Sequence, residues 1–106
     1  MLLVGNHTET ARIFKAFCEE TRLKVLELLR SGEKCACDLL DIVEVGQSTL
    51  SHHMKILVES GIVSSRKDGK WTYYAIDEHG SQKAVVLLES LTTVKRDLVC
   101  VKTICD

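Results

Sequence analysis

The sequence holds five cysteines among 106 residues, and two of them, Cys35 and Cys37, are separated by a single alanine. Thiolates bind soft metal and metalloid ions, and pairs of thiols can also oxidise to disulfides. The first ten residues lack the basic flank and the cleavage-type sequence of a secretory leader, so we expect a cytoplasmic protein. An odd number of cysteines in a reducing compartment argues against a disulfide scaffold. The cysteines therefore indicate metal, metalloid or redox chemistry.

The spacing of Cys35 and Cys37 restricts how both could bind one ion. Residues two apart on a helix point roughly 200° away from each other, whereas in an extended segment they point to the same side. We therefore expect the pair to chelate an ion only if the first turn of the following helix is unwound or has not begun. Binding would then compete with the start of that helix. The alternative is that both are inert, small apolar side chains.

A soft ion favours more than two sulfur ligands. The remaining candidate ligands are Cys18, Cys100 and Cys105. The last two are five residues apart, about 140° around a helix, so they share a face only if the C-terminal end frays.

A second set of reactive side chains lies on the stretch QSTLSHHMKILVESG, residues 47–61. At helical spacing Leu50, Met54 and Leu57 form an apolar stripe, and the opposite face is polar. Such a face suits base edges and phosphates in a major groove, so we interpret this stretch as a recognition helix. The alternative is an ordinary amphipathic surface helix. The candidate DNA contacts on the polar face are Gln47, Ser48, Thr49, Ser51, His52 and Lys55.

The next stretch, IVSSRKDGKWTYYAI at residues 62–76, predicts a β-hairpin. Two β-prone runs flank an Asp-Gly pair, which predicts a two-residue type I′ turn at residues 68–69. That turn would pair Lys67 with Lys70 and Arg66 with Trp71, placing three cations near the tip as phosphate contacts. Residues 47–76 carry four basic and two acidic side chains, although the whole chain has a net charge of −1. A helix followed by a cationic hairpin is typical of a winged helix-turn-helix that binds double-stranded DNA.

The remaining segments predict helices that support this unit. We expect helices near residues 8–18, 19–30 and 38–43 before the recognition helix, and a last helix that Ser81 could cap. The fold class is therefore mainly α with a β-hairpin (α+β), in the order ααααββα, as a single domain over residues 1–106. No segment approaches the length of a membrane span. A heptad seam on the last helix predicts a homodimer. Its expected interface residues are Phe14, Leu87, Leu91, Val94, Leu98 and Val101.

Over residues 10–76 the chain resembles the ArsR/SmtB family of winged-helix metalloregulators. The resemblance rests on the runs FKAFCEETRLKVLELLRSGEKCACDLL, QSTLSHHMKILVESGIV and RKDGKWTYYAI, in that order. It implies a homodimeric repressor, not an enzyme, that leaves its operator when As(III) or Sb(III) binds Cys35 and Cys37. In the arsenic-responsive branch a third cysteine follows the pair, and here Leu40 occupies its place.

Three alternatives remain open from the sequence. The effector could be Cd(II) or Pb(II), for which the resemblance makes Cys18 the N-terminal candidate ligand, or it could be Zn(II). The repressor could instead respond to oxidation, through a disulfide between Cys35 and Cys37 or between Cys100 and Cys105. In a different class, the chain could be a thiol metal-buffering protein, although its basic hairpin would then have no role.

Overall fold

The computed structural model describes residues 6–95, and this part of the chain contains five helices and three strands. In chain order they are α1 (His7–Lys15), α2 (Glu20–Leu29), β1 (Lys34–Cys35), α3 (Ala36–Val43), α4 (Gln47–Glu59), β2 (Val63–Asp68), β3 (Trp71–Ile76) and α5 (Glu78–Thr92). The expected mainly α winged helix-turn-helix is confirmed. The predicted order ααααββα lacks one element, because β1 precedes α3 and completes an antiparallel sheet of order β1-β3-β2. A strand of two residues is too short to give a periodic signal.

Side chains at the helix starts explain where the helices begin. Asn6 accepts a hydrogen bond of 2.6 Å from a backbone N–H in the first turn of α1, and Glu19 accepts two in α2 at 2.7 and 3.2 Å. Such caps satisfy N–H groups that have no partner within the helix. Asp77 accepts two such bonds at the start of α5, at 3.0 and 2.9 Å. The expected cap at Ser81 is therefore wrong: the cap is Asp77, and α5 begins four residues earlier than predicted.

The core lies between α2, α3, α4 and the sheet. Its largest fully buried side chains, each less than 2% exposed, are Val25, Leu39, Met54, Leu57 and Val63. Burying one large aliphatic side chain stabilises the fold by about 1.5–3 kcal/mol. This cluster therefore holds α4 against the rest of the domain. The predicted apolar stripe of α4 is confirmed, and its polar face consequently points to solvent.

The hairpin is formed by β2 and β3, and its turn lies one residue later than predicted. Asp68 pairs with Trp71, so Gly69 and Lys70 form the two-residue loop. Gly69 has a φ of +65°, and Lys70 does not have a positive φ. Glycine at the first position followed by a residue with ordinary φ is typical of a type II′ turn, not type I′.

This turn changes the cross-strand pairs of the hairpin. The predicted pairs of Lys67 with Lys70 and of Arg66 with Trp71 are wrong, because Arg66 faces Tyr73 instead. The three cations still lie at or near the tip, but their neighbours across the hairpin are aromatic or polar residues.

Helix α5 is apolar toward its own chain and also toward solvent. Leu87 is only 8% exposed and packs in the core of its own chain beside Ala84, so its assignment to the dimer interface stays a prediction. The helix ends at Thr92 with an extended residue after it, which places Val94 beyond α5. Leu91 is 49% exposed and remains available to a partner.

The remaining predicted interface residues are Phe14, Leu98 and Val101. Phe14 is half-buried and packs against the core of its own chain. Leu98 and Val101 lie outside the described residues. Across residues 6–95 no helix has both the length and the apolar character needed to cross a membrane.

Candidate nucleic-acid interface and thiol site

The outer face of α4 carries the predicted DNA contacts in one exposed group. All of the predicted side chains on this helix are exposed: Gln47, Ser48, Thr49, Ser51, His52 and Lys55. The residue that precedes the helix is Gly46, which has no side chain to cap it. The first backbone N–H groups of α4 are therefore open to an anion such as a DNA phosphate.

The inner face of α4 is held by a polar contact that the sequence did not reveal. Arg22 and His53 are 7% and 8% exposed, and the Arg22 Nη1 lies 2.9 Å from the His53 Nδ1. Because a guanidinium can only donate, Nδ1 accepts, and a neutral ring carries its proton on Nε2. That nitrogen lies 3.7 Å from the Glu19 carboxylate.

The Arg22 side chain also reaches the end of α1. It donates to the carbonyl oxygens of Ala16 and Lys15, at 2.9 and 3.3 Å. One buried cation thus joins the end of α1, the start of α2 and the recognition helix. The spacing of Arg22 to the buried Val25 and Leu29 on α2 was the signal that could have identified it.

Glu19 supports this contact from the start of α2. Partial burial raises the pKa of its carboxyl. The backbone N–H groups of Arg22 and Thr21 and the nearby His53 and Arg22 side chains outweigh that effect, and the pKa lies below its ordinary value. Glu19 is therefore ionised at neutral pH.

The three predicted cations of the hairpin are not equivalent. Arg66 forms two hydrogen bonds of 2.8 Å with the Glu33 carboxylate, and its guanidinium lies 4.6 Å from the centre of the Tyr73 ring. The hydrogen bond to Glu33 raises the pKa of Arg66, and the same bond lowers the pKa of Glu33. In contrast, Lys67 and Lys70 form no ion pair with any residue in the described range 6–95. These two lysines are the cations best placed for phosphate.

Replacing Glu33 with Gln is expected to strengthen DNA binding, because Arg66 would lose its carboxylate partner and could bind a phosphate. At low salt we expect a severalfold gain in affinity, and a slope of log affinity against log salt that is steeper by about 1. Fluorescence anisotropy of labelled DNA at several salt concentrations measures both. The control is Glu27→Gln, which makes the same change of charge at an exposed position on α2. An equal gain in both variants would show that net charge, not Arg66, is responsible.

Cys35 and Cys37 lie together at the start of α3. Cys35 is the N-cap residue with extended backbone angles (φ −74°, ψ 146°), and its sulfur accepts a 3.3 Å hydrogen bond from the backbone N–H of Cys37. The two sulfurs are joined as a disulfide across a Cα separation of 5.2 Å. The pair converges because Cys35 stands outside the helix, so the expected competition between chelation and the helix start is not required. A disulfide between cysteines only two residues apart does not join distant parts of the chain, so it is not a disulfide scaffold.

The thiol pair lines a cleft of about 310 Å³ between α3, α4 and the hairpin. Cys35 is 8% exposed, and Cys37 is exposed. Burial raises the pKa of Tyr74, whose side chain forms part of the far wall. The other lining residues are Ala36 and Leu40 from α3, Gln47, Leu50, Ser51 and Met54 from α4, and Lys70, Trp71 and Thr72 from the hairpin. The thiols and three of the predicted DNA contacts, Gln47, Ser51 and Lys70, therefore share one cleft.

The other cysteines are not brought to this site by the described structure. Cys18 is an exposed free thiol whose sulfur lies 3.5 Å from the carbonyl oxygen of Phe14. Cys100 and Cys105 lie outside the described residues. Between residues 6 and 95 no three side chains of His, Cys, Asp or Glu are grouped as a metal site. The assignment of these three cysteines as ligands stays a prediction.

Known proteins share both the sequence and the fold. A family model described as "Bacterial regulatory protein, arsR family" matches residues 19–65. An arsenical resistance operon repressor of Staphylococcus aureus is 38% identical over 90% of this chain and 91% of its own. A homologue of the cadmium resistance regulatory protein CadC, also from Staphylococcus aureus, is 42% identical over 73% of this chain and 65% of its own.

Two solved structures have the same architecture. A crystal structure titled as a possible transcriptional regulator for arsenical resistance superposes with a TM-score of 0.70, at 32% identity over 80% of this chain and 88% of its own. A homodimeric winged helix-turn-helix DNA-binding domain from Mycobacterium bovis, solved by NMR, has a TM-score of 0.64. It is 28% identical over 79% of this chain and 82% of its own.

Proposed function

Because this chain belongs to the ArsR family of bacterial regulatory proteins, we propose that it is a homodimeric repressor that As(III) or Sb(III) releases from its operator. It is a DNA-binding transcriptional regulator and not an enzyme. In this role it acts on DNA in the cytoplasm. The metal-buffering alternative has no support from the relatives, which are regulators.

The single observation that carries the proposal is the cleft shared by the thiol pair and the recognition helix. Cys35 and Cys37 form one wall, while Gln47 and Ser51 reach it from the predicted DNA face. An ion bound by the sulfurs would sit beside side chains that must be placed for DNA. If the ion binds the DNA-free conformation more tightly than the DNA-bound one, DNA must weaken the binding of the ion by the same factor.

The DNA-binding surface consists of the outer face of α4 and the tip of the hairpin. In this arrangement α4 enters the major groove, and Lys67 and Lys70 contact flanking phosphates. The backbone N–H groups after Gly46 offer a further phosphate contact. The role of Arg66 is reduced by its ion pair with Glu33. Affinity then rests on a local cationic patch in a chain whose net charge is −1.

The dimer is supported by the outer side of α5. Four apolar side chains of this helix are about half exposed, namely Val85, Val86, Leu88 and Leu91. Helix α1 packs beside α5, so both could contact a second copy. A two-fold dimer would place two α4 helices roughly 34 Å apart, matching successive major grooves of a palindromic site.

Arsenic or antimony fits the site through its donor atoms. Two adjacent thiolates favour a soft ion, and the S. aureus relative is named for arsenical resistance. A further sulfur for an inorganic ion would come from Cys18, Cys100, Cys105 or the partner subunit. Cadmium, lead or zinc is the alternative ion, supported by the CadC homologue.

A second candidate function is supported by the disulfide between Cys35 and Cys37. Oxidation of the pair removes both thiolates beside the recognition helix, so the repressor could respond to an oxidant. A disulfide cannot act as a dithiolate ligand, and the response to an ion therefore requires the reduced protein.

The test is an anisotropy titration of the reduced protein on DNA from upstream of its own coding region. The reductant should be a phosphine, since dithiols themselves bind arsenic. We expect binding of a dimer, followed by release with arsenite or antimonite. Release by Cd(II) alone would make Cd(II) the effector in place of As(III) or Sb(III). Release by peroxide alone would support the redox function, and failure to bind DNA would contradict the proposal.

A further inference from the structure

The inner face of α4 carries a buried histidine directly beside one of the predicted DNA contacts. His53 is 8% exposed, whereas His52 is exposed on the outer face, and the centres of the two rings are 5.9 Å apart. Because the two residues share one peptide bond, a movement of His53 is passed directly to His52. A DNA-reading surface must be held to within about 0.5 Å, so such a movement is large enough to matter.

We propose that His53 is a positioning residue for DNA recognition and that it holds α4 in place only while its ring is neutral, so that acidification weakens DNA binding. His53 acts through Arg22 and does not itself touch DNA. The inference rests on the proposed function, because that function places α4 in the major groove. It is independent of the thiol pair and of the effector.

The hydrogen bond between Arg22 and His53 requires a neutral ring. The Arg22 Nη1 donates to the His53 Nδ1 at 2.9 Å, and the same guanidinium donates to the carbonyl oxygens of Ala16 and Lys15. Protonation of the ring adds a hydrogen to Nδ1, so two positively charged donors would face each other. Both side chains are at most 8% exposed, so water screens this repulsion poorly. The protonated ring must therefore lose its bond to Arg22.

The other charged groups around His53 do not reverse this effect. The Glu19 carboxylate, 3.7 Å from Nε2, attracts a protonated ring, but its side chain is 39% exposed and is better screened by water. The neighbouring His52 ring would repel it when both are protonated. Three further charged side chains are exposed and line a cleft with Arg22, namely Arg12, Lys15 and Glu59. Protonation therefore moves the His53 ring away from Arg22 and toward Glu19.

The expected pH dependence has the opposite sign to that of a simple cationic surface. As the pH falls, a protein gains positive charge, here also at His52, which strengthens its contacts with phosphate. In contrast, DNA favours the conformation that neutral His53 holds, so DNA and a proton on His53 weaken each other's binding. Histidine changes its charge between about pH 5 and 8, so DNA affinity should be high at the upper end and fall toward the lower end.

The experiment is an anisotropy titration of the full-length protein on DNA from upstream of its own coding region, at constant salt. The protein is reduced with a phosphine, no ion is added, and the pH is varied between about 8 and 5.5. We expect the affinity to fall by at least about fivefold, the lower end of common couplings between two ligands. Circular dichroism at each pH shows that the protein is still folded where its affinity has fallen.

Three variants assign the pH dependence to the buried ring. His53→Asn keeps an acceptor oxygen for Arg22 that does not take up a proton, so its affinity should not fall on acidification. His53→Leu removes the acceptor and should bind DNA more weakly than His53→Asn at about pH 8. The matched control is His52→Asn, which removes the exposed imidazole from the same helix. It should bind DNA more weakly but keep the fall on acidification.

Several results would overturn the proposal. An affinity that stays constant or rises on acidification of the unchanged protein would do so, and so would a fall that persists in His53→Asn. If His53→Leu does not fold, nitrogen NMR of the His53 ring in the unchanged protein takes its place. At about pH 8 we expect a proton on Nε2 and none on Nδ1, and the opposite tautomer would contradict the hydrogen bond to Arg22.

This proposal and the proposed function fail in different ways. If the reduced protein binds upstream DNA at about pH 8 and arsenite releases it, but acidification does not weaken binding, the proposed function stands and the role of His53 is wrong. If acidification weakens binding and arsenite has no effect, the effector is wrong and the role of His53 stands. Failure to bind DNA at every pH would contradict both.

Discussion

Replacing Cys35 and Cys37 with Ser is expected to leave operator affinity within about twofold and to abolish release by arsenite. Serine is a favourable N-cap residue, so the start of α3 should survive at position 35, and Cys37 is exposed. Loss of supporting groups around a metal already costs about 10–100-fold in affinity, and loss of the ligands themselves should exceed that. The measurement is the arsenite concentration at half release in an anisotropy titration.

The single variant Cys18→Ser tests whether Cys18 binds the ion in addition to Cys35 and Cys37. If Cys18 is not a ligand, this variant should respond like the unchanged protein. Oxidising the unchanged protein before the titration should have the same effect as the double substitution, since the disulfide removes both thiolates. Normal release by the double variant would show that the ion binds elsewhere.

Replacing Gly80 with Ala is expected to destabilise the fold strongly, although alanine is normally the better helix former by about 1 kcal/mol. The reason is the close approach of α5 to the end of α4. A Cβ at position 80 would overlap the backbone carbonyl of Gly61, coming within 2.6 Å of its carbon atom. Gly61 lies between two buried residues, Ser60 and Ile62, which limit how far its backbone can move aside.

Overpacking of this kind costs roughly 1–3 kcal/mol, and each 1 kcal/mol lowers the melting temperature of a domain this size by about 4–8 °C. We therefore expect a fall of roughly 5–20 °C, measured by circular dichroism at fixed protein concentration. The control is Gln82→Ala, at an exposed position on the same helix, which should change the stability by less than about 0.5 kcal/mol. Equal melting temperatures for both variants would mean that α5 can shift away from Gly61.

Several features of the fold followed from local patterns along the chain. The stripe of Leu50, Met54 and Leu57 indicated which face of α4 is buried, and that face is the one the core covers. The hairpin was likewise predicted from its β-prone runs, but its register was not. Asp-Gly and Gly-Lys can each form a two-residue turn, and the choice changes every pair across the hairpin.

The last helix shows a different limit of sequence reasoning. A pattern of apolar residues at spacings of three and four identifies a helix that must be covered, but not what covers it. Leu87 is covered by its own chain, whereas Leu91 remains half exposed. The sequence could not assign these two residues to different surfaces, because they share the same periodicity.

By itself the sequence determined the family, the mainly α winged fold, the outer face of α4 and the two cysteines as the candidate sensor. These features depend on residue types at short spacings, which local geometry translates directly into faces and turns. Only the tertiary structure decided that Arg22 meets His53 and that Arg66 is paired with Glu33. It alone also decided that the thiols, α4 and the hairpin enclose one cleft. Arg22 and His53 are 31 residues apart in the sequence, and Glu33 and Arg66 are 33 residues apart. Whether the members of each pair meet depends on how the helices and the hairpin pack.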